Sequence, residues 1–210
     1  MAANPDNLKN PFNMDEACEN CEKLCETRTN VVHGYGDVSA EFVFVGGQPS
    51  AGPDETGIPF TGNEGGKRLQ QLLGRVGFSS SDPDAAEPDL ENVFLTYTTR
   101  CRHPERGPTD AELMACDGYL TAELRMINPQ IIVPVGQQAL SALAFEYTTR
   151  DPDALDIDEC HATTLRGRGF ELIPLLDPAD MDDDEYEQFV KHLSAEMGRD
   201  YRQTKGRRGR

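Results

Sequence analysis

Residues 41–50 read Glu41-Phe-Val-Phe-Val-Gly-Gly-Gln-Pro-Ser50. The apolar run Phe42–Val45 has the length and the β-branched and aromatic composition of a buried strand. It passes without a break into a loop that contains Gly46, Gly47 and Pro49. A buried strand that ends in such a loop is typical of an α/β sheet, and the loop then lies at the carboxyl end of the strand.

Three further segments have the same strand-like pattern, and helical patterns alternate with them. The predicted strands are Glu41–Val45, Asn92–Tyr97, Gln130–Val135 and Glu171–Leu176. The predicted helices are Cys18–Arg28 (a short helix or turn), Gly65–Val76, Thr109–Ile127, Gly136–Leu143 and Glu185–Met197. This alternation predicts an α/β fold with a central, mostly parallel four-stranded sheet that is flanked by helices.

The 210 residues of the chain are enough for one domain with its own hydrophobic core. We expect that domain to span residues 18–198. Residues 1–17 form a polar N-terminal arm, and residues 199–210 form a basic tail in which six residues are Lys or Arg. The tail could add nonspecific affinity for nucleic acid or could be only a hydrophilic end.

The chain is strongly acidic, with 37 Asp and Glu residues against 20 Lys and Arg, a formal net charge of −17. Only 5 of the 20 basic residues are Lys. Hydrated carboxylates keep a protein dispersed in concentrated salt, and the salt screens their mutual repulsion. We therefore expect a protein from a salt-adapted, halophilic cell. In dilute salt this charge would repel nucleic acid unless a local basic patch counteracts it.

No apolar run approaches the roughly 18 residues of a membrane span, and the N-terminus lacks the apolar segment of a signal peptide. We therefore expect a cytoplasmic protein with no membrane partner, and we expect a monomer. In a reducing cytosol, the six cysteines are better explained as metal ligands or buried thiols than as disulfides.

Four of the cysteines form two separated groups. Cys18 and Cys21 are spaced as a Cys-x2-Cys pair in a polar segment, and fourteen residues separate Cys101 from Cys116. Four such thiolates suit a [4Fe–4S] cluster or an all-thiolate zinc site. Cys25 could be a spare ligand but is better explained as a core thiol, and Cys160 is expected to be structural.

The loop from Gly46 to Gly62 is a candidate ligand-binding loop. It is not a P-loop, because no Gly-Lys-Ser/Thr sequence closes it. Its glycines let the backbone approach a ligand closely, and Phe60 could stack on a planar group. The alternative is a plain connection in which Phe60 belongs to the core. In a parallel sheet this loop shares one cleft with residues 98–108 and 177–180.

The layout resembles the uracil-DNA glycosylase superfamily, specifically its iron–sulfur group, often called family 4. The resemblance covers most of the chain from about residue 18 to residue 180. Five stretches carry it: Cys18-x2-Cys21 with Leu24 and Arg28-Thr29; Val45-Gly46 through Gly57-Ile58-Pro59-Phe60-Thr61-Gly62; Val93-Phe94-Leu95-Thr96 with Arg100-Cys101-Arg102; Pro108-Thr109 to Cys116; and Asn128-Pro129-Gln130-Ile131-Ile132-Val133 with Gly136.

The resemblance implies a three-layer sandwich and a DNA repair enzyme that hydrolyses the N-glycosidic bond of a uracil, or another deaminated base, flipped out of DNA. It places the ligands of a [4Fe–4S] cluster on Cys18, Cys21, Cys101 and Cys116. It makes Phe60 the ring that stacks on the base. It gives the main chain of residues 46–50, including Gly46 and Pro49, the role of stabilising charge on the departing base.

Three positions depart from the pattern of that family. Gly47 stands where the family has a Glu, and the adjacent Gln48 is polar but cannot act as a base. Tyr97 replaces the Asn that reads the uracil edge, and Asp177 replaces the His of a His-Pro-Ser/Thr motif. Asp177 is the best remaining candidate for orienting the attacking water.

Two alternatives follow from these departures. The chain could be a noncatalytic DNA-binding relative that keeps the cluster and the fold, or a redox protein that uses the cluster for electron transfer. A local basic patch after the second strand favours DNA, because such side chains contact phosphates. The patch comprises Arg100, Arg102, His103 and Arg106.

Overall fold

The computed structural model describes residues 3–199, so most of the predicted basic tail lies outside the described residues. Six strands form one sheet in the order β1-β3-β2-β4-β6-β5. The strands are β1 (Tyr35–Gly36), β2 (Phe42–Gly46), β3 (Val93–Tyr97), β4 (Ile131–Val135), β5 (Leu165–Arg166) and β6 (Glu171–Leu172).

The four central strands run parallel, which confirms the predicted α/β class. Phe44 of β2 is opposite Leu95 of β3 on one side and Val133 of β4 on the other, and β6 pairs with β4 beyond them. The two edge strands, β1 and β5, are antiparallel and were not predicted, because two residues are too few to show a periodic pattern. The sheet is therefore mixed and six-stranded rather than four-stranded.

The fourth predicted strand is shorter than expected. β6 ends at Leu172, and Pro174 has no N–H group with which to continue the ladder. The chain nevertheless stays beside β4, since the N–H of Leu175 donates to the carbonyl of Pro134 at 2.8 Å and Leu175 forms a parallel bridge with Val135. The segment that follows therefore leaves the sheet at the same edge as the loop after β2.

Helices cover both faces of the sheet. They are α1 (Glu22–Thr27), α2 (Ala51–Thr56), α3 (Glu64–Arg75), α4 (Asp110–Ile127), α5 (Gln137–Tyr147), α6 (Ile157–Cys160) and α7 (Asp183–Met197), with a 3-10 turn at Pro152–Ala154. The predicted start of α4 is confirmed by a capping box, in which Thr109 and Glu112 bond each other's backbone N–H groups. Among the described residues, no helix is both long enough and apolar enough to cross a bilayer.

The core has two halves, one on each face of the sheet, because side chains alternate along a strand. Phe42 and Phe44 of β2 point into the half that contains Leu69 and Leu73 of α3 and Phe189 of α7. The intervening residues of the same strand point into the other half, with side chains of α4 and α5. This arrangement is the expected three-layer sandwich, with the carboxyl ends of β2, β3 and β4 at one edge.

Candidate functional site

A cavity of about 680 Å³ opens at the carboxyl ends of the parallel strands. It lies where the chain leaves β2 and β4 and where it passes residues 176–180, which is the position the sequence predicted. Side chains from all three predicted loops line it: Gly47, Gln48, Arg102, His103, Arg106 and Asp177.

The loop after β2 is tied to the end of β3. The carbonyl of Gly46 accepts the N–H of Thr98 at 2.8 Å, and the carbonyl of Gly47 accepts the N–H of Thr99 at 3.1 Å and the hydroxyl of Thr98. Gln48 reaches farther along the loop that follows β3, because its Nε2 donates to the carbonyl of Arg106 at 3.2 Å. The Oε1 of Gln48 is buried without a partner in the described part of the chain.

Position 47 has little room for a side chain as the structure stands. A Cβ at Gly47 would lie 2.3 Å from Oε1 and 2.8 Å from Cδ of Gln138, the second residue of α5. These atoms are the far end of a flexible side chain, so a larger residue at position 47 requires Gln138 to turn away. Sequence analysis did not single out Gln138, because it becomes relevant only when α5 is placed beside the loop.

Phe60 lies in the core, which is the alternative that the sequence left open. It is 9% exposed, and its ring centroid lies 4.8 Å from that of Tyr97. Its backbone has a φ of 55° and is held on both sides: its N–H donates to the hydroxyl of Tyr97 at 3.0 Å, and its carbonyl accepts from Nε2 of Gln70 at 3.4 Å. A non-glycine residue with this φ is strained, so these bonds fix the position of the ring.

Tyr97 is buried at the end of β3, and burial raises the pKa of its phenol well above the ordinary value. Its hydroxyl oxygen already accepts the Phe60 N–H, and the negative charge of Asp177 raises the pKa further. The three positions that depart from the family pattern, 47, 97 and 177, therefore meet at one end of the sheet.

Asp177 is exposed at the cavity, and its side chain also stabilises a turn. Oδ1 accepts the backbone N–H of Ala179 at 3.0 Å, and its carbonyl accepts those of Asp180 at 2.9 Å and Met181 at 3.2 Å. This is an Asx turn, a common structural use of Asp. One carboxylate oxygen has no bond in the described part of the chain, so it is free to bind water at the cavity.

The predicted metal ligands lie on the other side of β3. Cys21 is the N-cap of α1, Cys101 follows β3, and Cys116 lies in α4. Burial and then the neighbouring Cys116 raise the pKa of Cys21, and the charges of Cys18 and Cys116 raise that of Cys101. Thiols far apart in sequence are thus near enough to influence one another. Burial is the largest cause at Cys101, whose pKa is raised to about 11.

Arg28 joins two of these cysteines. Its Nη1 donates to the Sγ of Cys101 at 3.2 Å, and its Nη2 donates to the carbonyl of Cys18. Cys25 is beside the group as well, with its Sγ 3.8 Å from the Cys18 carbonyl. Sequence analysis named Arg28 only as part of the family pattern, because its contact with Cys101, 73 positions away, depends on the fold.

The arrangement bears on which metal group the thiols suit. A single zinc ion holds four thiolates about 3.8 Å apart, the edge of a tetrahedron with Zn–S bonds of about 2.3 Å. Within residues 3–199, no group of three or more His, Cys, Asp or Glu side chains is placed to hold a metal ion. A [4Fe–4S] cluster would bind each of four cysteine thiolates through a different iron, and the predicted ligand set consists of four cysteines.

The basic patch divides into one buried arginine, Arg100, and three half-buried residues, Arg102, His103 and Arg106. Arg100 is 1% exposed, bonded to Glu123 at 2.8 Å and to the hydroxyl of Thr96, so the prediction that Arg100 contacts DNA phosphates is wrong. Arg106 forms a bidentate pair with Glu112, at 2.7 and 2.8 Å, and lowers the pKa of that carboxyl to about 2. Arg102 has no ion-pair partner among residues 3–199.

One buried carboxylate connects the two sides of the site. Asp54 of α2 accepts the backbone N–H groups of Thr29, at 3.0 Å, and Asn30, at 3.3 Å, directly after Arg28. Sequence analysis treated residues 50–62 as loop and missed α2, because Gly52 and Pro53 are poor helix formers. Gly52 also packs directly against Gly62, since a Cβ at Gly52 would lie 2.5 Å from the backbone there. The two ends of the segment that contains Phe60 are therefore in contact.

Comparison with known proteins gives a family. A sequence model described as the uracil DNA glycosylase superfamily matches residues 33–193, well over half of the chain. Type-4 uracil-DNA glycosylase of Saccharolobus solfataricus is 37% identical over 128 residues, 60% of this chain and 54% of that protein. The chain thus spans little more than half the length of that relative.

Two further relatives are matched over more of their length. Type-4 uracil-DNA glycosylase of Pyrobaculum aerophilum is 31% identical over 170 residues, 79% of this chain and 81% of that protein. Type-5 uracil-DNA glycosylase of Thermus thermophilus is 33% identical over 154 residues, 64% of this chain and 70% of that protein. The matches therefore include proteins of two types in the same superfamily.

Proposed function

The chain belongs to the uracil-DNA glycosylase superfamily, and from this premise we propose that it hydrolyses the N-glycosidic bond of uracil or another deaminated base in DNA. The observation that carries the proposal is the meeting of residues 46–50, 102–106 and 176–180 around one cavity at the carboxyl ends of β2 and β4. Relatives that are similar to this chain in sequence are named uracil-DNA glycosylases.

The cavity has the two kinds of group that this hydrolysis needs. Negative charge develops on the departing base, and the backbone N–H groups of Gly47, Gln48 and Ser50 at the cavity stabilise it, whereas Pro49 has no N–H to donate. Positive charge develops on the sugar, and the exposed carboxylate of Asp177 stabilises it while orienting a water molecule. Asp177 faces the sugar in this scheme, since a carboxylate beside the base would oppose its departure.

Base recognition differs from that of the family pattern. The hydroxyl of Tyr97 is engaged by the backbone of Phe60, and its ring covers part of the Phe60 ring. An amide that pairs with the edge of uracil is therefore replaced by a buried phenol whose oxygen already accepts the N–H of Phe60. We expect weak discrimination between uracil and other deaminated bases, because edge hydrogen bonds provide most of that selectivity.

Cys18, Cys21, Cys101 and Cys116 would hold a [4Fe–4S] cluster. The guanidinium that contacts both Cys101 and the backbone of Cys18, and the polar segment around Cys18 and Cys21, support a shared metal group, and the resemblance to the iron–sulfur group of the family favours the cluster over zinc. When bound, the group would cross-link α1, the end of β3 and α4, and so support the loops beside the cavity.

DNA would approach over the half-buried part of the basic patch, where Arg102, His103 and Arg106 line the cavity. The net charge of −17 opposes this approach except where salt screens it, so we propose a cytoplasmic enzyme of a salt-adapted cell that acts as a monomer. Arg102 is the strongest candidate for a phosphate contact, since it has no ion-pair partner in the described part of the chain.

The test is base release from duplexes that contain uracil, hypoxanthine or xanthine, measured in molar KCl. We expect release by the wild-type protein and a loss of about 10²–10⁴-fold in rate for Asp177→Asn, the range for a group that positions a proton transfer. Asp180→Asn is the matched control, because Asp180 is exposed at the same cavity and three residues away. Equal rates for the two variants would remove Asp177 from the mechanism.

A second function, noncatalytic DNA binding, is favoured by the replacements at positions 47, 97 and 177. A triple variant that restores the family residues, Gly47→Glu, Tyr97→Asn and Asp177→His, distinguishes the two. Wild-type protein that binds uracil-containing DNA without releasing any base, together with release by the triple variant, would identify a binder. Gln138 must turn away to admit Glu at position 47, so Gln138→Ala is a useful fourth change.

A further inference from the structure

Arg28 differs from Arg100 and Arg106 in what it contacts. Arg100 and Arg106 are paired with the carboxylates of Glu123 and Glu112. Arg28 is half-buried and directs Nη1 to a sulfur, the Sγ of Cys101, at 3.2 Å. Among residues 3–199, it has no carboxylate within ion-pair distance, although the chain has 37 acidic residues.

The guanidinium also spans two chain segments. While Nη1 bonds Cys101, which follows β3, Nη2 bonds the carbonyl of Cys18 in the N-terminal segment. The plane of the guanidinium presents its N–H groups in a fixed fork, so one side chain holds a thiol and a backbone group in register. The backbone next to Arg28 is fixed as well, because the N–H of Thr29 donates to the buried carboxylate of Asp54.

We propose that Arg28 is the outer-sphere partner of the metal centre: it compensates the negative charge of the thiolates and donates a hydrogen bond to the sulfur of Cys101. This inference rests on the proposed cluster. Four thiolates around an iron–sulfur core leave a net negative charge, which is costly to bury without a cation. Arg28 supplies that cation beside the thiol of Cys101. Side chains that donate hydrogen bonds to metal ligands help a protein retain the bound metal.

The test uses full-length protein purified anaerobically in molar KCl. Iron content, visible absorbance and the rate of iron release to a ferrous chelator are measured for wild type, Arg28→Gln and Arg28→Lys. We expect Arg28→Gln to release iron about 10–100-fold faster, the range for loss of an outer-sphere partner. Arg28→Lys keeps the charge but not the fork, and we expect an intermediate rate. Arg125→Gln, an exposed change of the same charge on α4, is the control and should match wild type.

A spectroscopic measurement separates this role from a purely structural one. A hydrogen bond to a cysteine sulfur draws electron density from the iron–sulfur bond, so its loss should shift one Fe–S(Cys) stretching band to higher frequency in resonance Raman spectra. Arg28→Lys is expected to fold even if Arg28→Gln does not, and it should show the shift. Unchanged bands and unchanged iron release in both variants would overturn the inference. Wild-type protein without iron would overturn both this inference and the proposed cluster, whereas base release is scored separately.

Discussion

The cysteine side of the molecule (Cys18, Cys21, Cys101, Cys116 and Arg28) and the strand-end side (Gly47, Tyr97 and Asp177) differ in how far they follow the family pattern. On the cysteine side, every position of the pattern is present. On the strand-end side, three positions carry other residues, although the loops that bear them meet as expected. Two features connect the two sides: Asp54, which bonds the backbone next to Arg28, and β3, which is followed by Cys101 and ends at Tyr97.

The contrast separates what holds the scaffold from what performs the chemistry. Thiols on three different segments must all be kept for a shared group to bind, so a change at any one removes the whole. Side chains around a cavity are less constrained by the fold, so each can be replaced while the backbone keeps its conformation. The cysteine side should therefore govern stability, and the strand-end side should govern substrate and rate.

The largest effect is expected from removing one thiol. Cys116→Ser should abolish the visible absorbance of an iron–sulfur cluster and lower the melting temperature, because three remaining thiolates cannot complete the group. Cys160→Ser is the control: Cys160 is buried in α6, away from the other thiols, and its loss should leave the absorbance intact. Iron quantitation and thermal melts measure both, and full iron in Cys116→Ser would contradict the ligand set.

The next largest effect concerns the pair of Arg100 and Glu123. Both side chains are 1% exposed and lie 2.8 Å apart, and Glu123 also accepts the hydroxyl of Thr96 and the N–H of Gly34. Glu123→Gln leaves the guanidinium buried without its counter-charge, which should cost about 3–5 kcal/mol of unfolding free energy.

Chemical denaturation in constant salt measures that cost. Arg102→Gln is the comparison, since Arg102 lines the cavity and should change stability by less than about 0.5 kcal/mol. If Glu123→Gln were as mild as Arg102→Gln, the distinction between a structural and a DNA-facing arginine would fail.

A smaller effect is expected from pH at His33, on the cysteine side. Burial is the main reason that the pKa of His33 falls to about 4, and the charge of Arg100 adds to it. Nε2 lies 2.8 Å from the carbonyl of Asp15 and so acts as the donor, while Nδ1 is buried with no partner in the described part of the chain. A second proton on Nδ1 would therefore have no acceptor.

The sign of the pH dependence follows from these pKa values. Between about pH 6.5 and pH 4, the unfolded chain binds a proton at His33 that the folded protein does not. Stability is fully present above that range and should fall by about 3 kcal/mol as the pH drops through it. His33→Gln keeps a donor for Asp15 but does not titrate, so its unfolding free energy should fall less over the same range. Parallel curves for the two proteins would assign the acid sensitivity to other groups.

The sequence predicted the centre of the fold because its strands are apolar and long enough to show their period. β2, β3 and β4 all lie within one or two residues of the predicted bounds. The edge strands and α2 were missed for local reasons: β1 and β5 have two residues each, and α2 contains Gly52 and Pro53. The family resemblance, carried by motifs rather than by periodicity, is confirmed.

Site residues were harder to predict, since their roles depend on contacts between distant segments. Arg100 and Arg102 look alike in sequence, but Arg100 turns back to Glu123, a helix residue 23 positions away. Phe60 was expected to offer a stacking face, and only the structure shows Tyr97 against it. Gln138 has no motif of its own, and Arg28 was noted only as part of the family pattern. Their contacts with Gly47 and Cys101, which lie far from them in the chain, appear only in the fold.

The smallest effect concerns the two half-buried arginines that line the cavity, Arg102 and Arg106, and tests whether the strand-end side faces DNA. Each phosphate contact contributes about 0.9 to the slope of log K against log salt concentration. Arg102→Gln should reduce that slope by about one, because Arg102 has no carboxylate partner within residues 3–199. Arg106→Gln should reduce it less, since Glu112 already neutralises Arg106 through two hydrogen bonds. Fluorescence anisotropy with labelled duplex at several KCl concentrations measures both slopes, and Arg125→Gln provides the baseline. Equal slopes for Arg102→Gln and Arg125→Gln would mean that DNA does not approach over this cavity, because a charge at its rim would then matter no more than an exposed charge in the last turn of α4.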